Sequence, residues 1–124
     1  MRCLLDTQVM LWWLLDDPRL GAESRELMSL RPCVISVASI WEVAIKHRIG
    51  KLEISPIVFR DQSIKSGADL LPVLDSHVIE TAQLPLLHQD PFDRLLIAQA
   101  RVEGLMAVSS DAKWSGYDVS LHRA

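Results

Sequence analysis

Short apolar runs alternate along the chain with segments whose apolar positions recur every three or four residues. The runs Cys3–Asp6, Cys33–Ser36, Leu70–Leu74, Met106–Ser109 and, more weakly, Val119–Leu121 predict strands. Residues 22–30, 37–49, 57–66, 76–83 and 91–103 predict helices, and Gly50 and Gly104 stand just past two of them, where a left-handed residue closes a helix. Strands alternating with helices predict an α/β fold with a mostly parallel sheet. The first and fourth runs are apolar throughout, as in strands covered on both faces. The run Leu11-Trp12-Trp13-Leu14-Leu15 is too apolar to face one way on a helix, so we expect it to split between the core and a partner surface.

Length and composition narrow this picture. With 124 residues, of which 49% are hydrophobic, residues 1–124 form one domain with a core of its own. No apolar stretch approaches the roughly 20 residues of a membrane span, and no small-residue cleavage site follows an apolar run near the N-terminus. The expected setting is cytoplasmic. Cys3 and Cys33 lie in apolar runs and read as buried reduced thiols, and the four histidines lack the spacing of a zinc site. The net charge of −3 excludes nucleic-acid binding by bulk positive charge. It leaves room for a nuclease whose bound cations supply positive charge locally.

In a parallel α/β sheet, ligands bind at the carboxyl edge of the strands. Four acids fall there from four segments. Asp6 ends the first strand, Asp111 follows the fourth, Asp93 lies in the first turn of the helix before that strand, and Glu42 lies in the helix after the second. Carboxylates crowded together repel unless a cation neutralises them, and an all-oxygen set suits Mg²⁺ or Mn²⁺. Each acid also has an ordinary structural reading. In Asp90-Pro91-Phe92-Asp93, Asp90 suits the N-cap, Pro91 the first helical position, and Asp93 the positive end of the helix dipole. We assign Asp90 to capping and Asp93 to metal. Asp111 also suits the cap of a short helix running to Gly116, and Glu42 has Lys46 as an i,i+4 partner. Asp75, after another strand, reads as the cap of its helix and stands outside the set. Lys46, Arg48, Lys51, Arg94 and Lys113 are candidate phosphate contacts.

Leu4-Leu5-Asp6-Thr7, Ser39-Ile40-Trp41-Glu42-Val43-Ala44-Ile45-Lys46, Asp90-Pro91-Phe92-Asp93-Arg94-Leu95-Leu96-Ile97-Ala98 and Ser109-Ser110-Asp111 resemble the successive motifs of PIN domains, and more closely those of VapC-type toxins. The resemblance covers essentially the whole chain. The block from Asp90 into its helix is its most specific part, and Ser-Ser-Asp stands where Thr-x-Asp is more usual. It implies a three-layer α/β/α sandwich with a five-stranded sheet in the order 3-2-1-4-5, Asp6, Glu42, Asp93 and Asp111 in the four acidic positions, and Thr7 and Ser109 or Ser110 as the hydroxyls that support them. It further implies a Mg²⁺- or Mn²⁺-dependent endoribonuclease with one or two metals, leaving 5′-phosphate and 3′-hydroxyl ends. The implied partners are an RNA substrate, a cognate VapB-type antitoxin and a second copy of the chain in a homodimer, with DNA reached only through the antitoxin.

Two other classes remain. A receiver-like domain also carries acids around Mg²⁺, with Asp75 as the acceptor, but Asp6 stands alone and the last strand offers no lysine. A non-catalytic α/β binding module is the other; a phosphatase of the haloacid-dehalogenase type is poorly matched, because Gln8 stands where a second aspartate is needed.

Overall fold

The computed structural model describes residues 1–124. Its five strands are β1 (Cys3–Leu5), β2 (Cys33–Ser36), β3 (Asp69–Leu71), β4 (Met106–Ser109) and β5 (Leu121–Arg123). They form one sheet in the order β3-β2-β1-β4-β5, and every neighbouring pair is parallel. The helices are α1 (Thr7–Leu14), α2 (Ala22–Leu30), α3 (Val37–Arg48), α4 (Pro56–Lys65), α5 (Asp75–Glu80) and α6 (Pro91–Glu103), with single 3-10 turns at residues 81–83 and 112–116.

Alternation along the strands creates two cores, one on each face of the sheet. Cys3, Leu5, Cys33, Ile35 and Val108 point to one face, where Val9, Met10, Met28, Val43 and Phe59 of α1 to α4 cover them. Leu4, Val34 and Ala107 point to the other, against Leu96, Ile97 and Ala100 of α6 and the wholly buried Trp114. This is the expected α/β/α sandwich, with β1 at its centre.

Four boundaries differ from the sequence pattern, each for a local reason. Asp6 leaves β1 to cap α1, accepting the Val9 N–H at 2.7 Å, and this converts the run after it into a helix. β3 ends at Leu71 because Pro72 has no N–H to continue the ladder. β5 begins two residues late, because the Val119 N–H turns back to the Tyr117 carbonyl. Asp75 is not the cap of α5: Leu74 holds that position, and the Asp75 carboxylate accepts only its neighbour's N–H. Gly50 and Gly104 take the expected left-handed φ, 80° and 65°.

The Leu11–Leu15 run serves chiefly the first core. Leu11 is buried, Trp12, Trp13 and Leu14 pack partly buried against the core, and Leu15 projects into solvent. The Arg19 guanidinium lies 5.1 Å from the centre of the Trp12 ring, covering the indole. No helix is long and apolar enough to cross a membrane.

Candidate functional site

In a parallel α/β sandwich, helices run back against the strands, so their N-termini gather at the carboxyl edge of the sheet. Here three side-chain caps mark that edge: Asp6 for α1, Ser36 for α3 and Asp90 for α6. Asp90 accepts from the N–H groups of Phe92 and Asp93, the capping role its sequence context predicts. Asp111 caps the 3-10 turn at 112–116 through the Lys113 N–H, so capping and a place in the site coexist in one residue.

Between these termini lies a cleft of about 290 Å³ lined by Asp6, Thr7, Glu42, Lys46, Asp90, Asp93, Ser110 and Asp111. The four sequence-assigned acids therefore meet in one place. Asp75 is not among the lining residues. The environments of the four carboxyls differ. Burial pushes Asp6 up from its ordinary 3.8 to about 6; hydrogen bonds from Ser109 and the Val9 N–H resist this, and the charges of Glu42 and Asp111 add to it. Burial also pushes Asp93 up, to about 7, with the Asp90 charge adding and His88 opposing. Asp111 goes the other way: burial works against its charge, but the Lys113 N–H and His88 outweigh it. Glu42 is buried and gives one oxygen to Lys46 Nζ at 2.8 Å, while its Oε1 has no partner.

That unpartnered oxygen, and two carboxyls held against ionisation in a cleft at the carboxyl edge of the sheet, suit a divalent cation. The donors are hard oxygens, and a cation would reverse the penalty that burial and like charge impose. Asp6, Asp93, Asp111 and Glu42 can hold such an ion. The hydroxyls serve the acids: Ser109 Oγ donates to Asp6 Oδ2 at 2.5 Å, and Thr7 Oγ1 donates to Ser39 Oγ at 2.9 Å, joining the starts of α1 and α3.

One residue of the site escaped the sequence, and one named candidate lies outside it. His88 is buried, with Nε2 2.8 Å from Asp111 Oδ2 and 2.7 Å from Asp93 Oδ2. No spacing rule places it there, because the 23 residues to Asp111 are bridged only by tertiary packing. Arg94 is not a phosphate contact. Its guanidinium is consumed by the carbonyls of Thr81, Leu84 and Pro85 at 2.9, 3.3 and 2.8 Å, and so pins the strap that leads from α5 into α6. Of the five basic candidates only Lys46 lines the cleft. Arg94→Met therefore lowers stability by about 2 kcal/mol, since three carbonyls lose a charged donor. A urea unfolding midpoint unchanged from wild type would show that the strap does not depend on it.

A parallel sheet of this order with an acidic cleft at its carboxyl edge places the chain among the α/β domains whose sites form at the carboxyl ends of the strands. More narrowly, the chain belongs to the PIN-domain family, whose sequence model matches residues 3–119. Among solved structures it is similar to the VapBC2 complex of Rickettsia felis bound to a promoter DNA fragment, with a TM-score of 0.77 at 16% identity, covering 99% of this chain and 98% of that one. It is also similar to a DNA-bound VapBC from Salmonella typhimurium, with a TM-score of 0.71 at 16% identity over 99% and 98% of the two chains. A third likeness is to VapC20 of Mycobacterium tuberculosis, a toxin that cleaves the sarcin-ricin loop, with a TM-score of 0.65 at 12% identity over 92% and 93%. No curated protein sequence matches the chain.

Proposed function

We propose that residues 1–124 form a metal-dependent endoribonuclease, the VapC-type toxin of a toxin–antitoxin pair. The observation that carries the reading is the convergence of four carboxylates from four segments on one cleft, with Glu42 Oε1 buried and unpartnered. The motif order and the likeness to VapBC complexes support it, and the likeness to VapC20, a toxin that cleaves the sarcin-ricin loop, supports RNA as the substrate. A VapB-type antitoxin, itself the DNA-binding partner, would cover the cleft, and the toxin would form a homodimer.

Asp6 and Asp93 are the direct ligands in this reading, with Asp111 and Glu42 completing the shell or acting through water. A bound Mg²⁺ or Mn²⁺ would activate water and stabilise charge on the phosphate. The protein's own groups set the stage. Ser109 fixes the rotamer of Asp6 by a hydrogen bond to Oδ2, leaving the Oδ1 lone pairs shared with the α1 N-terminus. Lys46 holds Glu42 Oε2 and brings a positive charge to the cleft wall, where a substrate phosphate can compete for it. The N-terminal ends of α1, α3 and α6 favour negative charge at the same place.

Purified protein should cut RNA in the presence of Mg²⁺ or Mn²⁺ and stop on addition of a chelator. Cleavage that continues undiminished in chelator would refute the metal-dependent reading. The receiver-like alternative loses its main support, since Asp75 lies away from the cleft; a non-catalytic module predicts no cleavage under any metal.

A further inference from the structure

We infer that His88 is a positioning residue of the acidic cleft: its ring N–H holds Asp111 beside Asp93, and the ring itself is not a metal ligand. The inference rests on the metal reading of the cleft given above and goes further, by dividing His88 from the carboxylates around it.

Taken by proximity alone, His88, Asp93 and Asp111 look like a three-ligand set, since their donor atoms lie within 4.8 Å of one another. The hydrogen bonds around the ring contradict that. The Asp90 backbone N–H donates to His88 Nδ1 at 3.2 Å, so Nδ1 is the acceptor nitrogen. A neutral imidazole has one acceptor and one donor nitrogen, so Nε2 carries the hydrogen. A nitrogen that carries hydrogen has no lone pair for a cation. Nε2–H instead donates to Asp111 Oδ2 at 2.8 Å, and Asp93 Oδ2 lies 2.7 Å from the same nitrogen, beside that bond.

The ring is fixed from behind as well. The His88 backbone N–H donates to the Tyr117 hydroxyl at 2.7 Å, Tyr117 is buried in the second core, and Arg94 pins the carbonyls of the preceding residues. Asp111 needs such a support. It sits on a single 3-10 turn, and its side chain is about a third exposed, at 36%. Its Oδ1 is tied to the Lys113 N–H, and His88 ties Oδ2. Both oxygens are thus oriented before any cation arrives, the usual task of an outer-shell group.

Two measurements test this. In metal-free, ¹⁵N-labelled wild-type protein, the ring nitrogens of His88 should report hydrogen on Nε2; hydrogen on Nδ1 would overturn the inference without reference to any metal. In Mn²⁺ titrations followed by electron paramagnetic resonance, His88→Ala should bind roughly 10- to 100-fold more weakly than wild type. His88→Gln, whose amide N–H reaches the place of Nε2–H, should recover affinity to within about 3-fold of wild type. Directly coordinated nitrogen in the Mn²⁺ spectrum of wild type overturns the positioning role, as does a glutamine variant that melts like wild type yet binds as weakly as alanine. Should wild type bind no Mn²⁺ at all, the metal reading of the cleft falls, and the nitrogen assignment in metal-free protein still decides the bridge on its own.

Discussion

The double substitution Asp6→Asn with Asp93→Asn removes Mg²⁺-dependent RNA cleavage by about 100-fold or more and at the same time stabilises the metal-free protein. The two effects share one cause. Both carboxyls are pushed up by burial, and each feels the charges of neighbouring acids. A cation turns that arrangement into binding; without one it is a strain on the fold. Moving the Asp6 carboxyl from 3.8 to about 6 corresponds to about 3 kcal/mol at neutral pH, and asparagine relieves much of it. Asparagine also keeps what the aspartates do structurally. Its Oδ1 can still cap α1 through the Val9 N–H, and the Ser109 hydroxyl can rotate to accept from the new amide. Loss of activity by unfolding is therefore separable from loss by lost ligands: thermal melting in chelator should shift upward while cleavage disappears. A double variant that melts below wild type in chelator, or that cleaves RNA at the wild-type rate, contradicts the account of the cleft.

What the chain disclosed before folding, and what it withheld, follows from the range of the interactions involved. Asp6 and Asp111 were legible because one directly follows a strand and the other comes two residues after one, and Asp93 because Asp90 and Pro91 announce a helix start one turn away. Glu42 was legible through its place in the helix after the second strand, while its partner on the next turn, Lys46, suggested an ordinary ion pair. These are signals within a few residues. The order of the strands was not in the periodicity at all; it came from the likeness to PIN domains, and the all-parallel pairing bears it out. His88 was missed, and Arg94 was given the wrong task, because their partners are carbonyls, a hydroxyl and carboxylates supplied by distant segments. Arg94, next to a site aspartate, invited a phosphate role by adjacency. In a helix, however, neighbours point about 100° apart, and Arg94 turns away from the cleft into the strap. The helix Thr7–Leu14 was obscured by its own composition: a run of large apolar residues carries no polar face to reveal a period, and only the cap at Asp6 marks its start.

Stability of the metal-free protein should fall as pH rises from about 4 to about 7, the reverse of the usual acid side of a stability curve. Asp6 and Asp93 have folded-state values above the unfolded 3.8, so the folded state binds more protons than the unfolded one across that window. Their contribution is complete below about 4, declines as pH rises through about 6 for Asp6 and about 7 for Asp93, and is gone above. Asp111 pulls in the opposite sense, because its carboxyl is held below the ordinary value; its gain is lost only at acid pH, is complete above about 4 and stays constant through the neutral range, so it adds nothing to the slope there. The net change over the window is on the order of 3 kcal/mol from Asp6 alone. Added Mn²⁺ reverses the slope. It binds the ionised cleft, adds about 2.7 kcal/mol at 100 times its dissociation constant, and competes with protons at low pH. Urea midpoints at about pH 4.5 and about pH 8, each with chelator and with Mn²⁺, give four values that must cross: the metal-free protein more stable at the lower pH, the metal-bound protein more stable at the higher. Parallel pH dependence with and without Mn²⁺ would mean that the ion does not meet the carboxyls of Asp6 and Asp93, and that their crowding serves some purpose other than holding it.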